Sequence, residues 1–214
     1  MTQNSILQMK LLKNQLKDEI IKEGQFPYRR RKYQYQSIEE ENMIGIRNMN
    51  HRYSVLDLPD DFSNKTVLDL GCSLGMVCVM AKLRNASFCV GLDNNENTIN
   101  VAKKYIEEKK YKDIKLFVYD INKGVNELIS LIGQDKFDYV FALSIIKHVN
   151  KNILFEIINF YTKDICWFES HSKQDRTKIE KMLRKNLTFK EIKFLGYTND
   201  RGIRSNFKIK ELWE

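Results

Sequence analysis

Lys65-Thr-Val-Leu-Asp-Leu-Gly-Cys-Ser-Leu-Gly75, followed by Cys89-Val-Gly-Leu-Asp93, is the stretch on which the fold turns. It reads as an apolar strand, a glycine-bearing turn, a helix, and a second apolar strand that ends in an acid. Gly71 permits a tight turn off the first strand and leaves room for a ligand against the backbone, because it has no side chain. The helix after the turn begins with N–H groups that have no intrahelical partner. Asp93 closes the next strand near the separation (~20 residues) at which a carboxylate accepts both ribose hydroxyls of an adenosine. Together these features predict a nucleotide site at the ends of two neighbouring strands.

A dinucleotide fold is disfavoured. Its fingerprint is G-x-G-x-x-G, whereas Asp69-Leu-Gly71-Cys-Ser-Leu-Gly75 has Ser73 where a middle glycine would stand and an acid before the turn. An acid there repels a pyrophosphate and suits an ammonium group. The run resembles the first motif of the class I S-adenosylmethionine-dependent methyltransferases, written roughly V-L-D-x-G-x-G-x-G. Residues 67–75 match it apart from Ser73, and Val90-Gly-Leu-Asp93 is similar to that family's ribose-binding strand end. The plain alternative is an α/β protein with ordinary glycine turns after its strands; two motifs at the right separation speak against it.

Composition fits one such domain with an appendage. The chain has 214 residues, of which 43% are hydrophobic, close to the ~45–50% usual for a full core. No window approaches the ~18 uninterrupted apolar residues of a membrane span. The N-terminus lacks a cationic start followed by an apolar block, so no secretory signal is expected. Cys72, Cys78, Cys89 and Cys166 show no C-x-x-C spacing and read as reduced thiols of a cytoplasmic protein. No metal site is expected. A net charge of +8 attracts polyanions, although a genome that favours Asn, Ile and Lys also produces a lysine excess. The sharpest cationic cluster is Tyr28-Arg-Arg-Arg-Lys-Tyr33, read either as a nucleic-acid patch or as a solvated linker.

Ser5 to Glu23 carries Ile6, Leu7, Met9, Leu12, Leu16, Ile20 and Ile21 at three- and four-residue spacing, an amphipathic helix closed by Gly24 and Pro27. Its apolar face suits packing on the domain or a homodimer contact. Tyr33 to Ile38 alternates like a strand, and Met43 to Ile46 offers a hairpin partner. From residue 66, strands at 66–70, 87–92, 114–119, 137–143 and 165–169 alternate with helices at 74–83, 95–108, 125–132, 151–161 and 174–185. That alternation predicts a doubly wound parallel sheet. Strands 188–195 and 202–209 leave no room for a crossover helix and must form a hairpin. The fold expected is an α/β, seven-stranded, mostly parallel sheet with a C-terminal antiparallel hairpin, over residues 60–214, preceded by a helical and lid or docking segment over 1–59. The resembled family ends its sheet in the same way, and the resemblance covers about residues 60–212.

In an open parallel sheet the ligand lies beyond the C-terminal ends of the strands. Those ends hold Asp69, Gly71, Cys72, Ser73 and Gly75; then Asp93 and Asn94; then Asp120 and Ile121; then Ala142, Ser144 and His148; then Glu169 and His171. The resemblance implies that Asp69, Gly71 and Gly75 hold the methionine end of the cofactor, Asp93 the ribose, and Asp120 with Ile121 the adenine. It places His148 beside the methyl group. Glu169 or His171 could take a proton from an acceptor, since histidine titrates near neutrality; the alternative for both is a place on the rim. A base is optional, because alignment and a suited electrostatic site supply much of the barrier reduction.

A looser resemblance concerns Tyr35-Gln36-Ser-Ile38, Gly45-Ile-Arg47 and Arg52, similar to a bacterial subgroup that includes tRNA wobble-uridine modifying enzymes. It implies that Tyr35, Gln36 and Arg47 belong to a lid. The expected function is S-adenosylmethionine-dependent methyl transfer to a small molecule or metabolite. The alternatives are an RNA acceptor and a non-catalytic docking protein that keeps the fold.

Overall fold

The computed structural model describes residues 14–19, 35–200 and 202–210. Its sheet has seven strands, β1 (Thr66–Leu70), β2 (Phe88–Asp93), β3 (Ile114–Val118), β4 (Phe137–Leu143), β5 (Thr162–Glu169), β6 (Glu191–Thr198) and β7 (Arg204–Lys210), in the order β3-β2-β1-β4-β5-β7-β6. The first five are parallel, and β7 enters antiparallel between β5 and β6. The strand order reverses between β1 and β4, which opens a crevice above their C-terminal ends. Among the described residues from 35 onward six α-helices accompany the sheet: α1 (Met49–Val55), α2 (Met76–Leu83), α3 (Glu96–Glu108), α4 (Val125–Ile132), α5 (Lys151–Tyr161) and α6 (Arg176–Asn186).

Successive side chains of a strand point to opposite faces, and the two halves of the core follow this rule. Val67, Tyr139, Phe141 and Trp167 pack with α1, α2 and α3. Leu68, Leu70, Val140, Ala142, Cys166 and Phe168 pack with α4, α5 and α6. Trp167 stacks on Phe141 with ring centroids 4.8 Å apart, and its indole N–H donates to the Leu56 carbonyl at 2.7 Å. By the same alternation Asp69 and Glu169 turn toward the layer of Val67 and Trp167. The face of two acids was thereby set by strand register alone.

Most element boundaries fall where the alternation predicted them, and the departures have local causes. α2 begins at Met76 because its N-cap, Gly75, has φ 75°. α6 begins at Arg176 because the Asp175 carboxylate accepts from Lys178 N–H at 2.8 Å, an N-cap geometry. β6 starts at Glu191, later than expected, because Asn159 Oδ1 holds Thr188 N–H at 3.1 Å and turns the chain first.

The N-terminal reading needs correction. Of the hairpin expected over 33–38 and 43–46, residues 35–38 and 43–46 are described, and they form no ladder; the contacts are single bridges, Gln36 to Arg47 and Ile38 to Met43. A 3-10 turn at Glu39–Glu41 and Asn42 at φ 53° reverse the chain too tightly for a ladder. Gly45 lies so close to Gln36 that a Cβ would stand 2.3 Å from its carbonyl carbon. The helix α1 was not anticipated. Of the expected helix over 5–23, residues 14–19 are described and helical; Leu16 packs on the chain's own core, and Lys17 and Glu19 pair with Glu41 and Lys104 at 3.2 and 2.6 Å. The remainder of that helix and the cluster Tyr28 to Tyr33 lie outside the described residues. No helix among the described residues is long and apolar enough to cross a membrane.

Candidate active site

β1 runs into a turn whose backbone is tied to the end of β2. The N–H groups of Gly71 and Cys72 both donate to the Leu92 carbonyl at 2.8 Å. Ser73 N–H donates to Asp93 Oδ2 at 2.9 Å, and Leu74 N–H to Gln36 Oε1 at 3.1 Å. Gly71 has φ 80°, a region that disfavours L side chains. A Cβ there would also lie 2.8 Å from Ile145 Cδ1. Ser73, where the family motif has glycine, adopts φ 50°: the backbone keeps the glycine-like conformation, at a cost of about 1–2 kcal/mol for an L residue.

Above this turn lies a cleft of about 380 Å³, within the range of small-ligand sites. Asp69, Gly71, Ser73, Asp93, Asn94, Asp120, Ile121, Ser144 and His148 line it, as does the segment before β1 through Tyr35 and Gln36. Cys72, Gly75, Ala142, Glu169 and His171 do not. Cys72 and Ala142 point into the core. Gly75 begins α2 below the turn. Sequence reasoning gave no role to Thr98, Val149 or Ile145 on the wall, nor a specific one to Arg52. Arg52 carried a signal only through its place in the motif before the domain.

Glu169 is fully buried and cannot reach an acceptor. Arg47 Nη2 donates to its two oxygens at 2.6 and 2.9 Å, Arg52 Nε stands 2.7 Å from Oε2, and the Ser144 hydroxyl donates at 2.8 Å. Arg204 Nε lies 3.5 Å away, and Arg47 Nη1 reaches Asp200 at 2.8 Å. Burial alone would push the Glu169 carboxyl up, but Arg52, Arg47, Ser144 and Arg204 together hold it below its ordinary 4.5. A carboxylate held so firmly ionised is a poor proton acceptor, and the expected role for Glu169 as a base is replaced by that of an ion-pair centre.

Asp69 sits in the opposite condition. It is buried, its Oδ2 has no hydrogen-bond partner among the described residues, and burial raises its pKa from 3.8 to about 7, with Arg52 opposing and Asp93 adding. Arg52 Nη2, on the same wall, is also buried without a hydrogen-bond partner. Asp93 is raised mainly by burial, against N–H donors from Asn95, Ser73 and Asn94. Its Oδ1 accepts from Asn95 N–H at 3.0 Å and its Oδ2 from Ser73 N–H at 2.9 Å, and lone pairs remain for a ligand. The Asp120 carboxylate accepts from Asn122 N–H at 2.9 Å. His148 and His171 meet edge to face at 5.4 Å between centroids. Burial lowers the His171 pKa, and the cations Lys147 and Arg204 and the neighbouring His148 add to it.

Comparison with known proteins bears on the family and the fold. A family model described as a methyltransferase domain matches residues 61–200, more than half of the chain. The chain is 32% identical over 69 residues to the rRNA N(6)-adenosine-methyltransferase METTL5 of Danio rerio, covering 32% of this chain and 33% of that one. It is 27% identical over 104 residues to the ribosomal protein L11 methyltransferase of Bacteroides thetaiotaomicron, covering 49% and 33%. It spans about a third of the length of these curated relatives. Among solved structures it resembles the bifunctional kinase-methyltransferase WbdD with a TM-score of 0.66 at 18% identity, over 91% of this chain and 46% of that one. The chain belongs to the methyltransferase-domain family and has the Rossmann-like fold of the class I S-adenosylmethionine-dependent methyltransferases.

Proposed function

We propose that this cleft binds S-adenosylmethionine and that the protein transfers its methyl group to an acceptor at the cleft mouth. One observation carries the reading. Asp69 Oδ2 and Arg52 Nη2 are buried and lack hydrogen-bond partners among the described residues, and both residues line the cleft, a carboxylate and a guanidinium suited to the ammonium and carboxylate of an amino-acid end. Leaving either group unmet costs about 1–3 kcal/mol, which a zwitterionic ligand recovers. In this reading Gly71 and Ser73 present backbone to the same end, Cys72, Gly75 and Ala142 support the turn and strand from below, and Asn94 flanks the ribose. Asp93 accepts from the ribose hydroxyls, Asp120 from the adenine amine, and Ile121 packs on the ring. When bound, the cofactor supplies a methyl group already activated on a sulfonium. Ser144, whose hydroxyl is held by Glu169, lines the cleft on the cofactor's side, and His148, also on the cleft wall, is the residue we assign to receive the acceptor's proton.

The acceptor we favour is a small molecule, since Tyr35 and Gln36, from the segment before β1, line the cleft together with the strand ends. A macromolecular acceptor is the second reading, favoured by relatives named for rRNA and for a ribosomal protein. We assign the protein to the cytoplasm on its four free, buried cysteines. We further propose a homodimer through the apolar residues of the 6–21 segment other than Leu16, which packs on the chain's own core, to be read by sedimentation.

Calorimetric titration with S-adenosylmethionine, and separately with NADH, tests the cofactor. Micromolar binding of the former alone supports the reading, and binding of neither returns the protein to a docking role. Transfer of a labelled methyl group to bulk tRNA, ribosomal particles or a metabolite pool then separates the acceptors.

A further inference from the structure

The cleft is divided by charge. One side carries the carboxylates Asp69, Asp93 and Asp120, at or just past the ends of β1, β2 and β3. Past β4 and β5 the charged side chains change sign. His148, on the cleft wall, stands edge to face with His171, their ring centroids 5.4 Å apart. Lys147 Nζ donates to the Ser172 carbonyl at 3.3 Å, which brings an exposed ammonium onto the loop that carries His171. Gly202 packs on that loop so closely that a Cβ would stand 3.2 Å from Ser172 Cβ, and Arg204 Nη1 donates to the Gly202 carbonyl at 2.9 Å.

The arrangement is fixed by its own hydrogen bonds. His171 N–H donates to Gln174 Oε1 at 2.7 Å, and the Ser172 hydroxyl lies 3.2 Å from His171 Nδ1. Glu169 and Asp200 are already shared among Arg47, Arg52 and Arg204 and leave no charge over to offset Lys147. Asp175 is engaged in capping α6, and Asp93, which acts on His148, belongs to the ribose in the reading above. Lys147, Arg204 and His148 all oppose a positive charge on His171. Like charges gathered at one place cost free energy that a shared anion recovers. A cleft lined by one sign of charge also concentrates the opposite ion.

We propose that this cationic mouth takes the anionic group, a phosphate or a carboxylate, of a small-molecule acceptor, with Lys147 and His171 holding the anion beside His148. The proposal deepens the methyltransferase reading above and rests on it. It divides the cleft by sign, with the carboxylates serving the cofactor and the cations selecting the acceptor. An uncharged analogue of the acceptor gains nothing from Lys147, and a cationic one is repelled.

The chain has three histidines, His51, His148 and His171, so NMR of the imidazole C–H groups gives one signal for each mouth histidine and an internal reference on α1. The full chain, saturated with S-adenosylhomocysteine, is titrated with inorganic phosphate and separately with acetate, at fixed pH and with ionic strength balanced by chloride. His148→Gln and His171→Gln assign the signals. The His148 and His171 signals are expected to move together and saturate while His51 stays in place, and the ion that saturates at lower concentration identifies the group. Lys147→Gln should weaken that binding about 2- to 5-fold, the scale of an exposed ion pair. Lys185→Gln makes the same change of charge at the far end of α6 and should leave it unaltered. Equal weakening by both variants, shifts that fail to saturate, or equal shifts at all three histidines would mean an adventitious ion only and overturn the proposal. Displacement of phosphate by a short RNA oligonucleotide, at concentrations where uridine monophosphate leaves it bound, would overturn the small-molecule source and give the mouth to a polynucleotide. Failure of S-adenosylhomocysteine to bind in calorimetry overturns the cofactor reading by itself, and the same titration of the ligand-free chain still decides the anion site.

Discussion

Replacing Asp69 by Asn should change how stability depends on pH in a way set by one buried carboxyl. Its pKa is about 7 in the folded chain against an ordinary 3.8, raised chiefly by burial. Below 3.8 the group is protonated in both folded and unfolded states and contributes nothing. Between 3.8 and 7 the unfolded chain releases the proton and the folded chain keeps it, so stability falls as pH rises. Above 7 the loss is complete. At about 1.4 kcal/mol per tenfold change in proton affinity, it amounts to roughly 4 kcal/mol. The neutral amide removes this dependence while keeping the side-chain shape. Denaturant unfolding of the ligand-free protein at intervals from pH 4 to 8 would show the unaltered chain losing stability relative to the variant, most steeply at about pH 5–6, between the two pKa values, and levelling off above about 7. Cofactor binding adds the complementary sign: an ammonium beside Asp69 favours the ionised form, so affinity should rise with pH up to about 7 and binding should release a proton. Stability curves that run parallel across this range would refute the assignment of a raised pKa to Asp69.

Three further substitutions have separate readouts. Asp93→Ala should weaken cofactor binding by roughly 1–3 kcal/mol, the scale of a lost charge-assisted partner, and calorimetry measures it. Gly71→Ala should destabilise the fold by about 1–2 kcal/mol because alanine resists φ 80°, seen as a lower denaturant midpoint. Trp167→Phe strands the buried Leu56 carbonyl that the indole N–H now satisfies and should cost about 1–3 kcal/mol in the same assay.

The alternation of apolar strands with amphipathic helices made β1 to β5 and their helices legible, and the lack of a crossover forced the final hairpin. The acids at the strand ends were legible too, because parallel strands deliver their C-terminal residues to one crevice. What sequence could not give was the state of those acids. Asp69 and Glu169 are both carboxylates near the ends of parallel strands, yet one has an oxygen, Oδ2, without a hydrogen-bond partner among the described residues and the other is gripped by arginines from residues 47, 52 and 204. Those arginines are remote in sequence, and an arginine reads as a surface residue until its partner is placed. α1 was hidden because only Met49 and Arg52 of its seven residues are buried, which leaves no apolar periodicity to detect. The Tyr33 to Ile38 alternation imitated a strand, but Gly45 and Asn42 bring the chain back too closely for one.

The insertion of β7 between β5 and β6 has a consequence for assembly during synthesis. β5 carries Glu169 at its tip, and the neighbour that completes its outer edge is supplied by the later β7. While the ribosome is still translating beyond Asn186, a nascent chain holding β1 to β5 has the glycine turn and Asp93 but an open sheet margin, and it lacks Asp200 and Arg204. Domains fold as units, so the ion cluster around Glu169 is complete only once the final hairpin has joined the sheet. Pairing of β7 with β5 then shuts the sheet and delivers Arg204 to Glu169 in one event, which makes the C-terminal hairpin the step that finishes the site.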